Sequence, residues 1–147
     1  MNDDIRVIAI DAPIIDKPKM RSVDRLMIKR GFRVLPPNFS WMKLLSTRAF
    51  RLYNELSRVG VRVIETHPRS SLLSSRCIDI SELLRSLEIH TSSSISLRNL
   101  SKDLVDALIC ACAAYAYVKN LALAIKDVDG CIYLVKPICN QNSWFSI

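Results

Sequence analysis

Three acidic residues stand where apolar elements end. Asp11 follows the run RVIAI, Glu65 follows VRVI, and Asp106 lies within KDLVDALICACAAYAY. A carboxylate at the margin of a buried element is costly unless a cation or a proton donor meets it. Converging carboxylates are hard oxygen ligands that suit Mg²⁺ or Mn²⁺. Two such ions ~4 Å apart would polarise a phosphodiester and generate a hydroxide nucleophile. Asp11, Glu65 and Asp106 are therefore the expected catalytic and metal-ligating set. The ordinary alternatives are an Asp11 that starts a turn and a Glu65 that pairs with one of the many arginines, although Glu is disfavoured in a strand.

Other residues are accessory candidates. Asp103 shares a helical face with Asp106, but its place in a first helical turn is already explained by the helix dipole. His67, two residues past Glu65, is a candidate proton carrier, although a His before Pro is often structural. Arg21 and Asp24 lie one turn apart, so Arg21 could grip a phosphate while Asp24 orients it or touches the metal. A plain helical ion pair is the alternative. His90 has no partner in the sequence and is expected on the surface.

These residues need elements to position them. Residues 5–10 form a short β-branched run, which predicts a central strand that Pro13 stops. A helix over 22–30 is capped by Ser22 and closed by Gly31. An amphipathic helix over 40–59 buries Trp41, Leu44, Leu45, Phe50, Tyr53, Leu56 and Val59. A second strand covers 61–66, a short helix 81–87, and a polar loop 91–96. Ser101 caps a third main helix to about 119, apolar nearly all round and so expected to be covered on most sides. Residues 121–126 and 131–135 flank Asp127-Val-Asp-Gly130, a hairpin signal. Strands mixed with covering helices predict one α/β domain over 1–147. If the first two strands are parallel neighbours, Asp11 and Glu65 emerge at one sheet edge, where ligands bind in such folds.

Charge supplies a partner. Residues 17–51 hold ten basic side chains, Arg25 and Arg48 among them, against the single acid Asp24. That segment carries +9 and the remainder −2, within a net +7. A basic segment beside an acidic cluster favours a polyanion such as nucleic acid, held through its phosphates and weakened by salt. The five cysteines are odd in number and lack a C-x-x-C spacing. Free, small, apolar thiols in a reducing, cytoplasmic setting are expected, rather than a disulfide framework or a zinc site. The most apolar run, 107–118, is too short to span a bilayer, so no membrane role is expected. No signal peptide is visible in the acidic MNDD start.

Several segments in order resemble one family. IDAP at 10–13, Arg21-Ser-Val-Asp24-Arg25, Arg30-Gly-Phe with Pro36-Pro37 and Met42, Val63-Ile-Glu-Thr-His-Pro68, Lys102-Asp-Leu-Val-Asp-Ala-Leu108, and Asp127-Val-Asp-Gly130 with Ile132 and Pro137 are similar to the motifs of the family labelled domain of unknown function 429, described as predicted RNase H-like nucleases. The resemblance covers nearly the whole chain. It implies an RNase H-like mixed sheet with helices on both faces and phosphodiester cleavage with Mg²⁺ or Mn²⁺ at Asp11, Glu65 and Asp106. It also brings Lys102 into the helix motif as an accessory residue. RNase H-like proteins carry a first hairpin, with its own acid, ahead of the IDAP strand. Only MNDD precedes Ile5, so an N-terminally truncated version of the fold is expected, with an open sheet edge that a homodimer could cover. The expected function is a metal-dependent nuclease. The alternatives are an inactive nucleic-acid-binding or dimerisation module, or an enzyme acting on a nucleotide or phosphate ester.

Overall fold

The structure is a computed structural model that describes residues 5–92 and 96–139. Among these residues the order is β1 (Val7–Ile10), α1 (Ser22–Lys29), α2 (Met42–Arg58), β2 (Arg62–Glu65), α3 (Pro68–Ser75), α4 (Ile80–Ser86), a 3₁₀ turn (Leu97–Asn99), α5 (Lys102–Val118), β3 (Ala122–Asp127) and β4 (Gly130–Val135). The strands form one mixed sheet in the order β1-β2-β4-β3. β1 pairs with β2 in parallel, with Ile10 opposite Glu65. β2 pairs with β4 in parallel, and β3 with β4 antiparallel. The fold is therefore α/β, with helices on both faces. The polar loop expected at 91–96 lies partly outside the described residues.

The faces follow from strand alternation. On β4, Ile132 and Leu134 pack with Ile125 against Val23 and Met27 of α1. Val135 points the other way into the larger cluster, with Leu83, Leu84, Ile109, Cys112, Ala113 and Ala116 from α4 and α5. α3 packs on β4 and on α5. α2 lies on the α1 side, where Met42 and Leu45 face Arg21 and Asp24 across a cavity.

Some local expectations are corrected. Ser22 is the first residue of α1 rather than its cap. The first two N–H groups of that helix are met from across the chain, Ser22 N–H at 2.6 Å and Val23 N–H at 3.1 Å, by the Asp129 carboxylate in the β3–β4 turn. Burial would raise Asp129 slightly, but those N–H donors outweigh it and hold the carboxyl below its usual range. α2 buries Ser46 and Ala49 and half-buries Phe50, Tyr53 and Leu56, while Trp41, Leu44, Leu45 and Val59 stay exposed, so only part of the expected apolar stripe is covered. Residues 68–75, for which the sequence offers no element, form α3. Pro68 sits at its first position, and His67 caps it by accepting the Ser70 N–H. This is the favourable N1 placement for a proline.

The cysteine expectation also fails in part. Cys77 and Cys139 form a disulfide across 62 residues of chain. Each is buried in the larger core cluster, and two distant thiols packed side by side are invisible to a spacing rule. Cys110, Cys112 and Cys131 are free. No helix of the described residues is long and apolar enough to cross a membrane.

Candidate functional site

β2 is buried from Val63 to Glu65 between β1 and β4, whereas β1, expected to be a central strand, is the half-buried edge strand of the sheet. Their parallel register leaves Asp11 and Glu65 at the same sheet edge, as the sequence predicts. α5 contributes Asp106 to the same region. Asp11 and Asp106 interact through like charge, and Asp106 also acts on His67. A cavity of about 170 Å³ at this edge is lined by Asp11, Glu65, Thr66 and His67 from the sheet side, and by Arg21, Asp24, Leu35 and Met42 from the basic segment. An adjoining groove shares Asp11 and adds Asp103, Asp106 and Cys110.

The acids divide into two groups. Glu65 belongs to a buried ion cluster. Arg21, only 1% exposed, donates to Glu65 from Nη1 at 2.7 Å and from Nη2 at 2.5 Å. It also donates to Asp24 from Nε at 3.0 Å and from Nη2 at 2.6 Å. The Ile14 N–H adds a third bond to Glu65 at 2.9 Å, and Asp24 also accepts the Arg21 N–H at 2.9 Å. Burial pulls Arg21 toward losing its proton, but the two carboxylates outweigh it and hold it firmly cationic. Burial pushes Glu65 up, opposed by Arg21 and Ile14. The geometry favours the ionised carboxylate, because both oxygens already accept N–H donors.

This cluster bears on three expectations. Arg21 is not presented to a phosphate, because its guanidinium is engaged on both sides by buried carboxylates. Glu65 has both oxygens taken and is not a free ligand. Asp24 is likewise a partner of Arg21, so the plain ion-pair alternative describes it better than contact with a metal. Arg25 and Arg48 are exposed.

Asp11 and Asp106 are different. Among the described residues neither side chain makes a hydrogen bond or an ion pair. Asp11 keeps a solvent-exposed side, yet crowding of its carboxyl, and then the like charge of Asp106, push it up to about 6, with Lys102 opposing. Carboxylates within reach of each other's charge, with no bonded cation, oppose each other's ionisation. The ligand atoms of Asp11, Glu65 and Asp106 do not all lie within 4.8 Å of one another. Among the described residues the group of three that does is Cys77, Glu82 and Cys139, whose sulfurs form a disulfide and offer no thiolate.

Three neighbours complete the chemistry. Burial keeps the His67 ring below its ordinary value, against the pull of Asp106. Nδ1 accepts the Ser70 N–H at 3.3 Å and lies 2.6 Å from Ser70 Oγ, an arrangement in which a ring proton on Nε2 lets Nδ1 accept from both. Thr66 is buried and donates from Oγ1 to the Tyr133 carbonyl at 2.7 Å, which ties the end of β2 to β4. Burial, with Asp11 and Asp106, pushes the Cys110 thiol up to about 12, so it stays protonated and is no nucleophile. Asp103 and Lys102 lie on the exposed side of the α5 start, and His90 is exposed elsewhere.

Sequence reasoning missed Thr66, Asp129 and Gly130. The Asp-Gly turn was legible, but its role was not. A Cβ at Gly130 would fall 2.8 Å from Val23 Cγ1 and 3.3 Å from Arg21 Nη1, so this glycine admits the ion cluster. Compared with protein-family models, curated proteins and solved structures, the chain matches none.

Proposed function

We propose that this chain is an RNase H-like, divalent-cation-dependent hydrolase of nucleic-acid phosphodiesters. The observation that carries the reading is the pair Asp11 and Asp106, two carboxylates at the C-terminal edge of parallel strands with no protein cation bonded to either. Mg²⁺ is commonly held by one or two carboxylates together with water and substrate phosphate, and this donor set fits Mg²⁺ or Mn²⁺. Asp11 and Asp106 would hold the ion. When bound, it would supply charge stabilisation at phosphorus and a more acidic water. Lys102 places positive charge beside Asp11. His67 offers an Nε2–H donor. The buried Arg21–Glu65–Asp24 cluster holds α1 rigidly against the end of β2. The basic segment forms one wall of the cavity, and its exposed Arg25 and Arg48 offer phosphate contacts that position a strand without reading its sequence.

The engagement of Glu65 by Arg21 specifically favours a second reading, a nucleic-acid-binding module without cleavage, because it leaves two acids where three were expected. One experiment separates the readings. Single-stranded, duplex, hybrid and branched nucleic acids are incubated with the protein in Mn²⁺ and in EDTA. Cleavage in Mn²⁺ only, abolished by Asp11→Asn and by Asp106→Asn, supports the hydrolase. Salt-sensitive binding without cleavage supports the module. Absence of both, with stabilisation by nucleotides, would move the substrate to a small phosphate ester.

A further inference from the structure

β1 is an edge strand. Arg62 N–H donates to the Arg6 carbonyl at 2.9 Å and Thr66 N–H to the Ile10 carbonyl at 3.0 Å, so the even-numbered residues turn toward β2. Val7 and Ala9 therefore direct N–H and C=O outward, where no described strand meets them. Alongside runs a groove of about 580 Å³, lined by Ile8, Ala9 and Ile10 of β1, by Leu52 of α2, by Ala107 and Ala111 of α5, and also by Asp11, Asp103 and Asp106. α5 is covered on most sides, as its sequence suggests, and is open along one stripe. Leu104, Ala107, Ala111, Tyr115 and Val118 form one exposed stripe, with Leu104 at 54%, Tyr115 at 36% and Val118 at 58% exposure. An open strand edge beside an apolar stripe is an association surface.

The stripe is symmetric about Ala111. Reversed against itself, Ala111 meets Ala111, Ala107 meets Tyr115, Leu104 meets Val118, and Asp103 meets Lys119. Ala107 sets a small side chain against the large Tyr115, Leu104 and Val118 set apolar against apolar, and Asp103 sets an acid against the base Lys119. Lys119 belongs to the stripe, since its Nζ lies 5.5 Å from the centre of the Tyr115 ring. A twofold axis perpendicular to the sheet sets α5 antiparallel to a second α5 and β1 antiparallel to a second β1. The groove holds both the middle of β1 and Ala107–Ala111, so one axis passes by both. Val7 and Ala9 then exchange backbone bonds with the second copy's Ala9 and Val7, and the sheet continues across the axis. We propose that the chain forms a homodimer through β1 and α5, an isologous interface in which each stripe meets its own reverse. The strand edge and the stripe carry the proposal without a metal, and the groove between them also holds Asp11 and Asp106, so the second copy would lie beside the proposed hydrolytic site.

Sedimentation equilibrium of the full chain tests it. The expected species is a dimer. Ala111→Arg, which sets two like charges together on the axis, should give a monomer with unchanged far-ultraviolet circular dichroism. Lys119→Asp turns two attractions into repulsions and should weaken association about tenfold or more. The double exchange Asp103→Lys with Lys119→Asp should restore it. Where Ala111→Arg fails to fold, the charge exchange decides. A wild-type monomer at micromolar concentration would overturn the proposal, as would a dimer indifferent to both Lys119→Asp and its rescue.

Discussion

Asp11→Asn is expected to stabilise the protein at neutral pH. In the fold this carboxyl is moved from 3.8 to about 6, so the folded state prefers it protonated. Ionised Asp11 therefore opposes folding. The penalty is absent below about pH 4, grows as pH rises between 3.8 and about 6, and is complete above that. Converted without screening, such a displacement corresponds to ~3 kcal/mol at neutral pH. Asp11 keeps a solvent-exposed side, and water screening reduces the expected gain to ~1 kcal/mol. For a chain of this size that is a rise of about 2–4 °C in Tm. Thermal unfolding of wild type and Asp11→Asn should therefore give equal Tm near pH 4 and a higher Tm for the variant at pH 7.5. At pH 7.5, Mn²⁺ present at ten times its Kd should raise the wild-type Tm through ~1.4 kcal/mol of binding and leave the variant unmoved. A variant less stable than wild type at pH 7.5 would show that Asp11 makes a stabilising native bond, and the reasoning on this pair would fail.

Three further outcomes follow from the packing. Arg21→Met leaves Glu65 and Asp24 buried without their cation and should destabilise by about 3–5 kcal/mol in urea; a loss under 1 kcal/mol would mean that the cluster does not persist in solution. Gly130→Ala drives a methyl to 2.8 Å from Val23 Cγ1 and should destabilise by about 1–3 kcal/mol, read as a shift in denaturant midpoint at constant slope, and an unchanged midpoint would contradict the close approach. Cys77→Ser removes a bridge spanning 62 residues and should lower stability by about 3–5 kcal/mol in the chain-entropy account. Reductant should lower the wild-type Tm and leave that of the variant unchanged, whereas a wild type insensitive to reductant would argue that the thiols are not joined.

The sequence was informative where the signal is local. The β-branched runs ending in Asp11 and Glu65 marked two strands, the Asp-Gly turn marked the hairpin, and Ser101 marked the start of α5, because side-chain periodicity and caps act within a few residues. α3 escaped notice because PRSSLLSS carries almost no apolar period, and tertiary packing on β4 and α5 fixes it instead. The partners of the site were not legible for a different reason. Arg21 reaches Glu65 across 44 positions, Asp129 reaches Ser22 across 107, and Cys77 meets Cys139 across 62. Sequence alone determined that acids stand at the ends of apolar elements beside a basic segment. Only the tertiary structure decided which acids a buried guanidinium neutralises and which two keep no bonded cation, because in a low-dielectric interior charge pairing depends on distance in space, and spacing along the chain does not contain it.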